Sequence, residues 1–475
     1  MKEESLPAAG DDALSRRSLL MGVAGAAVAA SATDAVAAPR QKELSGAPAV
    51  LSGSMAGRKY RGFVRFETRG EIEELRLLPL ADDRVVVRVE ASQCTYTECD
   101  LVLGSEREPQ ATIPGFGGVG VVEAVGSSVK RVQVGDRVFV ADAPYCGQCY
   151  ACLHGRPDRC FQSIGMGMVT PQPVAQLGNG TLVFGAIDTG GYAELLVARE
   201  CFCVPFFENQ SPATELAMLH ETCCVGLGAA FGPIAPIEPG SDVVVFGCGP
   251  VGIGAVQGAR IKGASRIVAV EPIRYRRDIA MKVGATVVLD PNDYFDKSRP
   301  DYDFRSQMER DPLVVKLREL CRGPSPTDRR LAGGRPYNVN ANLVGPDFVI
   351  EAVGGDRTST RPAGTDVGPD PSGVLPLYQA WAACSATGHV TTLSIFHQKD
   401  FTLRADQFSL SSKSHAQGTH FGENALRDLP MMARLVQTGQ FDARSLVTAV
   451  HPLEGIKEAY RKVADRTTMA AVIVF

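Results

Sequence analysis

Several features are missing from this 475-residue chain, and each absence removes a class of function. No block of lysine and arginine interrupts it, and the formal net charge is only -4, so nucleic acid is not an expected partner. The body of the chain has no apolar run of ~20 residues, which excludes a polytopic membrane protein and any stable membrane span. Thirteen cysteines are too sparse for a disulfide scaffold at this length, so their spacing carries the information. No internal repeat is evident. What is present is an ordinary globular composition, 45% hydrophobic and 21% charged with 49 glycines. It is enough for two or three domains at ~150 residues each.

The first 38 residues read as an address. Arg16 and Arg17 precede a mildly apolar, Ala/Gly-rich stretch from Leu19 to Ala32, and Ala35-Val36-Ala37 offers small residues to a signal peptidase. That order is the order of a twin-arginine export signal, with the Tat machinery as a partner and a periplasmic or extracellular destination. The alternative is an Ala-rich tail on a cytoplasmic protein. Residues 39–58 then read as a flexible lead-in.

From about Tyr60 to Val140 the pattern is β-rich. RVVVRVEA (Arg84 to Ala91), GVGVVEAVG (Gly118 to Gly126) and VGDRVFV (Val134 to Val140) are strand-length runs with β-branched residues, and a barrel-like β domain is expected. The pattern changes near Gly240. Ser241 to Pro272 spells an apolar strand, a Gly-rich turn, a helix and a second strand ending in an acid, which is a βαβ unit of a parallel sheet. ATVVLD, DFVIEAVGG and GHVTTLSIF continue it. Residues 291–346 are longer than such a connection needs and read as an inserted surface loop, with a helix possible over PLVVKLRELCRG. Leu426 to Gln440 and Leu453 to Asp465 read as amphipathic helices, and AAVIVF closes the chain as a strand.

Two motifs carry chemistry. In GCGPVG, after VVVF, Gly247 permits a tight turn, Gly249 lets backbone approach a pyrophosphate, and Gly252 lets helix pack on strand. Glu271 ends the next strand, where a carboxylate accepts hydrogen bonds from ribose hydroxyls and repels a 2′-phosphate, so NAD is expected over NADP. Arg274, Arg276 and Arg277 follow closely and soften that preference. Val251, Arg276 and Val353 complete the expected cofactor-facing set. In CGQCYACLHGRPDRC, Cys146, Cys149, Cys152 and Cys160 can close a tetrahedral shell around one structural zinc, with no open position for chemistry. Disulfides are the alternative if the protein is exported.

With these motifs in place, the chain from about Tyr60 to Phe475 resembles the medium-chain dehydrogenase/reductases, and the zinc-containing alcohol dehydrogenases in particular. The resemblance also takes in Gly191-Tyr192-Ala193-Glu194 and a GLGAA turn at Gly226. It implies an α/β protein: a GroES-like β-barrel catalytic domain (59–222), a Rossmann doubly wound parallel-sheet domain (223–396) and a C-terminal segment (397–475) returning to the first. It also implies hydride transfer between a nicotinamide and a small-molecule alcohol or carbonyl, in homodimers or homotetramers.

The departures are systematic. In PGFGGVGVVEAVG, Phe116 and Gly117 stand where the family carries a zinc-binding histidine and a glutamate. Registering on Asp100 puts Thr97 at the first ligand position, with Cys94 and Cys99 nearby, and counting back from Gly226 puts Glu221 at the third. The two cations the family sends to the pyrophosphate are replaced by Glu98 and Ala470. A phenyl ring has no lone pair for a metal, so a catalytic zinc is not expected. Without a Lewis acid, conjugated substrates such as enones or quinones suit the cleft, with Tyr96, Thr97, His220 and Glu221 as candidate catalytic residues and Tyr96 or Glu221 as general acid. Tyr96 as a packing aromatic and Glu221 as a helix-capping charge are the alternatives. So are a zinc site rebuilt from Cys94, His220 or Glu221, and an exported fold-alike that binds nucleotide without turnover.

Overall fold

The computed structural model describes residues 55–104, 107–163, 170–295, 308–321, 344–354, 374–396, 400–403, 408, 412–417 and 424–475. The twin-arginine segment and most of the 291–346 stretch lie outside these residues. Three sheets organise the described chain. β1 (Lys59–Glu67), β2 (Arg69–Leu77), β4 (Glu108–Ile113), β7 (Pro173–Gln176) and β8 (Leu182–Gly185) close into a barrel in the order β1-β2-β7-β8-β4. Alternation along these strands turns Tyr60, Val64, Leu75, Leu77, Ile113 and Val183 into its core.

The second sheet holds β3 (Arg84–Cys94), β5 (Gly118–Val125), β6 (Arg137–Val140), β9 (Leu195–Arg199), β10 (Cys203–Pro205), β17 (Val447–Pro452) and β18 (Ala470–Val474). Its order is β10-β6-β5-β3-β18-β17, with β9 also paired to β3. The chain end therefore returns to the first domain as expected. β18 runs antiparallel to β3 with Ala471 opposite Cys94, so the last strand holds the end of β3 in register.

The third sheet is wholly parallel: β11 (Asp242–Phe246), β12 (Arg266–Val270), β13 (Val287–Leu289), β14 (Phe348–Glu351), β15 (His389–Thr392) and β16 (Ser414–Gln417), in the order β13-β12-β11-β14-β15-β16. DVVVF is buried throughout, as a strand covered on both faces must be. The strand order reverses between β11 and β14, and ligands of such sheets bind outside the carboxyl ends of the strands at that point. The sheet extends to Gln417, past the boundary at residue 396 expected from the sequence.

Seven helices matter below: α1 (Thr222–Phe231), α2 (Pro250–Ile261), α3 (Arg274–Val283), α4 (Pro312–Leu320), α5 (Val374–Ala383), α6 (Ala425–Gln437) and α7 (Ile456–Ala464). Two differ from expectation. α4 lies within the supposed surface insertion, yet Leu313, Val314 and Leu317 are in the core with α5, so this part of the insertion is a packed crossover helix. Asp311 caps it, accepting from the Leu313 and Val314 amides at 3.0 and 3.1 Å. The GLGAA stretch expected as a turn lies inside α1. Glycine is a poor helix former, but here close packing decides: a Cβ on Gly226 would lie 2.0 Å from the Val251 carbonyl oxygen of α2. Among the described residues no helix is long and apolar enough to cross a membrane.

Candidate functional site: a cleft beside a dinucleotide turn

Three stretches distant in sequence meet where β3 ends. Thr95 opens a single 3-10 turn, Tyr96–Glu98. The Gly115 amide donates to Glu98 Oε1 at 2.7 Å, which ties this turn to the Pro114–Gly117 loop. Ser92 Oγ donates to the Gly117 carbonyl at 2.7 Å. From the third stretch, Thr222 Oγ1 donates to Gln93 Oε1 at 2.7 Å. Next in line, the Cys223 thiol donates to the Pro250 carbonyl at 3.5 Å, at the first turn of α2. So the stretches that carry Thr97, Phe116 and Glu221 meet beside the start of the nucleotide-domain helix. Gly117 is required here: its φ is +129°, and a Cβ would sit 1.9 Å from the Val140 carbonyl oxygen. No side chain, and so no glutamate, fits this backbone.

The four candidates have distinct surroundings. His220 is fully buried, and its Nδ1 lies 2.6 Å from the Ala217 carbonyl, which can only accept. Its proton is thus on Nδ1 and committed, while Nε2 is a buried lone pair without a partner. Burial pushes the imidazole below its usual range and keeps it neutral. Of the four candidate catalytic residues, His220 is therefore the one least suited to donate a proton. Glu221 is the N-cap residue of α1, and its side chain makes no capping hydrogen bond. Tyr96 is half-buried, with the Arg466 guanidinium 5.1 Å from its ring centroid. Thr97 is half-buried, and its hydroxyl is 3.1 Å from Thr95 Oγ1.

Glu98 is the residue that sequence reasoning misplaced. Read as a lost pyrophosphate cation, it instead points inward and is 1% exposed. Tyr460 of α7 donates to Oε2 at 3.0 Å, and Tyr192 and Thr95 lie 3.2 Å from the same oxygen. Burial pushes its pKa up to about 7 against these hydrogen bonds. The only sequence signal was an acid in an apolar strand end; its partners come from residues far along the chain.

The dinucleotide turn has the geometry its glycines imply. Gly247 adopts φ +84°, and a Cβ on Gly252 would meet the Gly247 carbonyl oxygen at 1.8 Å. Gly249 is the open position, with only Arg276 Nη1, 3.9 Å from its would-be Cβ, close by. That leaves room for a ligand over the amino end of α2, with a guanidinium beside it. Val353 lies against Gly247, its Cγ2 3.1 Å from the would-be Cβ. Val251 touches α1 through its carbonyl, so it helps fasten the two helices. Glu271 is buried and braces the turn, accepting from the Cys248 and Ile273 amides at 2.7 and 2.9 Å. Arg466, in the left-handed region at φ 56°, is a cation the sequence did not reveal. Its carbonyl accepts from Tyr275 Oη at 2.9 Å, and Arg276 Nε donates to the same Tyr275 oxygen at 3.1 Å.

The cysteine lobe is a separate centre. The sulfurs of Cys146, Cys149, Cys152 and Cys160 all lie within 4.8 Å of one another. The Cys149 and Phe161 amides point at sulfur, 3.4 Å from Cys146 and Cys149 respectively. Such donors stabilise thiolates, and the Cys149 thiol is lowered to about 6 despite burial. Four thiolates this close fit a zinc ion. All cysteines of the described chain are free thiols, so the disulfide alternative has no pair here. The lobe is fastened to the β domain by Arg199, which donates to the Gln162 carbonyl at 2.6 Å and to buried Asp188 at 2.6 Å.

Both halves of this architecture match known families. The alcohol dehydrogenase GroES-like domain matches residues 81–208, and the zinc-binding dehydrogenase domain matches residues 250–321. Both matched domains are those of medium-chain, alcohol dehydrogenase-like oxidoreductases. It is similar to alcohol dehydrogenase B of Mycobacterium tuberculosis, 26% identical over 86% of this chain and 96% of the relative. An alcohol dehydrogenase zinc-binding domain protein from Burkholderia ambifaria shares the fold at TM-score 0.69 and 23% identity, over 88% of this chain and 99% of that one. Benzyl alcohol dehydrogenase from Acinetobacter calcoaceticus does so at TM-score 0.67 and 22% identity, over the same shares.

In this dehydrogenase a catalytic zinc does not fit the residues at the cleft. Phe116 offers no lone pair, and Gly117 no side chain at all. Among the described residues, the cysteine lobe is the group of three or more His, Cys, Asp or Glu donors that gathers within 4.8 Å; Cys94, His220 and Glu221 do not form a second. Cys94 is buried with Cys99, Tyr192 and Tyr460, and burial pushes its thiol well up.

Proposed function

We propose that this chain transfers hydride between a nicotinamide and a carbonyl, enone or quinone-like small molecule, using protein proton donors in place of a catalytic zinc. The observation that supports this reading is that the stretches carrying Thr97, Phe116 and Glu221 are tied together beside the start of α2, with a phenyl side chain at 116 in place of a metal-binding one. A conjugated substrate accepts hydride without a Lewis acid, provided that a proton reaches its oxygen. When bound, the nicotinamide supplies the hydride; the chain supplies the turn at Gly247–Gly252, the guanidinium of Arg276 beside Gly249, and the hydroxyls of the cleft. Zinc in the cysteine lobe is structural.

NAD is the preferred cofactor, because buried Glu271 sets a carboxylate at the end of β12. A higher kcat/KM with NADH than with NADPH checks this, and Glu271→Ser should narrow the ratio. Metal analysis together with turnover tests the main reading: one zinc per chain and reduction of 1,4-benzoquinone or benzaldehyde support it. A second zinc required for turnover sinks it in favour of a rebuilt metal site, and nucleotide binding without turnover of any probe favours the fold-alike. Export by the twin-arginine route is part of the proposal, as is assembly into dimers or tetramers. Retention of an Arg16→Lys, Arg17→Lys double variant in the cytoplasm tests the former, and sedimentation the latter.

A further inference from the structure

A zinc-free cleft needs a source of protons, and the buried carboxyl of Glu98 is placed to be one. We propose that Glu98 is the proton reservoir of the cleft, delivering to a substrate oxygen through the hydroxyls of Thr95 and Thr97. This inference rests on the zinc-independent reading above and assigns its proton path.

The polarity of the hydrogen bonds supports the direction. Oε1 of Glu98 faces the Gly115 amide at 2.7 Å, and an amide can only donate, so Oε1 is an acceptor in either charge state. A proton on the carboxyl must therefore sit on Oε2. That oxygen faces hydroxyls alone: Thr95 at 3.2 Å, Tyr460 at 3.0 Å and Tyr192 at 3.2 Å. Hydroxyls can donate or accept, so they accommodate both the acid and its anion. Thr95 Oγ1 continues the line to Thr97 Oγ1 at 3.1 Å. Exposure rises along it: Glu98 is 1% and Thr95 2% exposed, while Thr97 is half-buried at the cleft. The path thus runs from a sealed carboxyl to a half-buried threonine.

The anion left behind is cared for. With the proton gone, Oε2 accepts from Tyr460, whose oxygen in turn accepts from the Tyr192 hydroxyl at 2.6 Å. The Gln93 carbonyl, 2.8 Å from the Tyr192 hydroxyl, is the alternative acceptor for that single proton. The titratable groups facing Glu98 from the surrounding elements are Tyr192 before β9, Tyr460 on α7, Cys94 on β3 and Cys99 on the short helix after the turn. Burial pushes both phenols and the Cys94 thiol upward, so these three stay neutral while the carboxyl, raised to about 7, exchanges its proton.

In the reducing direction the step balances as follows. A reduced nicotinamide gives a hydride pair to the carbonyl carbon, and the carbon–oxygen π pair moves to oxygen. That oxygen takes the Thr97 proton, Thr97 takes that of Thr95, and Thr95 takes the proton of Glu98. The products are an alcohol, an oxidised nicotinamide and a Glu98 carboxylate, which is reloaded from cleft water by the same hydroxyls. Glu98 does not touch substrate; it is a positioning and proton-supplying residue behind Thr97.

The test compares Glu98→Gln, Thr95→Val and Thr95→Ser in the full zinc-loaded chain, with benzaldehyde and 1,4-benzoquinone as probes and NADH as donor. Zinc content and circular dichroism confirm folding. For reduction, wild-type kcat should fall as pH rises through about 7, because the acid form is consumed. Glu98→Gln should lower kcat by about 100-fold, keep KM for the probe within about 2-fold and flatten that limb. Thr95→Val should reproduce the loss and Thr95→Ser should restore it. A Glu98→Gln enzyme with undiminished kcat and an unchanged pH limb overturns the proposal, as does a neutral Thr95→Val. A second readout does not depend on turnover: infrared difference spectra between about pH 5 and about pH 9, wild type against Glu98→Gln, should show one carboxyl band lost near neutrality. If that band is missing the proposal fails. If it is present but turnover follows a second zinc, the zinc-independent reading fails by itself.

Discussion

The cysteine lobe and the cleft are both built to hold something, and they are specified in opposite ways. The four thiolates come from one short stretch, Cys146 to Cys160, and local turns with amide donors suffice to gather them. The cleft draws on Thr95, Gly115, Tyr192 and Tyr460, gathered on Glu98 from separate parts of the chain, with β18 holding the end of β3 in place. A site made locally survives changes in the global packing; one made by the fold does not. The buried carboxyl of Glu98 in turn takes its donors from several elements.

That contrast can be broken most forcefully between the helices. Gly226→Val would drive a Cβ to 2.0 Å from the Val251 carbonyl oxygen and 2.5 Å from the Ala255 nitrogen, forcing α1 and α2 apart. A loss of about 3 kcal/mol or more is expected, with nicotinamide binding lost, while any folded protein still carries one zinc per chain. Calorimetry with metal analysis checks both halves, and loss of zinc together with nucleotide binding would dissolve the distinction between the two regions.

The converse experiment acts on the lobe. Cys149→Ser removes one ligand of a site whose binding energy is folding energy, and should cost about 2 kcal/mol and most of the bound zinc. Cofactor binding by the remaining protein should stay near wild type, measurable by NADH fluorescence titration.

A third prediction concerns pH and sharpens the view of the fold-made region. Burial raises Glu351, at the end of β14, from 4.5 to about 7. Between these values the native state holds a proton that the unfolded chain has released, so stability falls as pH rises through the window. Glu351→Gln should remove on the order of 2 kcal/mol of that fall, seen by comparing denaturant melts at about pH 5 and about pH 8. An unchanged slope would mean that the carboxyl is ionised in the native protein.

The smallest effect is expected at Arg466. Its guanidinium rests on Tyr96 and its backbone on Tyr275, next to Arg276 and the Gly249 turn. If it replaces the cations absent at Glu98 and Ala470, Arg466→Ala should weaken NADH binding by about 10-fold, or about 1.4 kcal/mol, with zinc content unchanged. Unchanged affinity would leave Arg276 and the helix terminus as the whole anion site.

Sequence alone determined what depends on spacing within one element or one turn. The cysteine lobe, the glycine turn of β11 and α2, the strands of the parallel sheet and the returning last strand were legible because period, glycine placement and ligand spacing are local quantities. That residue 116 is a phenylalanine, with no lone pair for a metal, was legible for the same reason. Tertiary structure decided the rest: that GLGAA is a helix pressed onto another, that α4 is buried rather than part of a surface loop, that the His220 proton is committed to a carbonyl, and that Glu98 faces inward to two tyrosines. Charge state and hydrogen-bond polarity depend on which groups surround a side chain in space, and periodicity does not announce them, whether the partner is three residues away, as for His220 and Ala217, or 362, as for Glu98 and Tyr460.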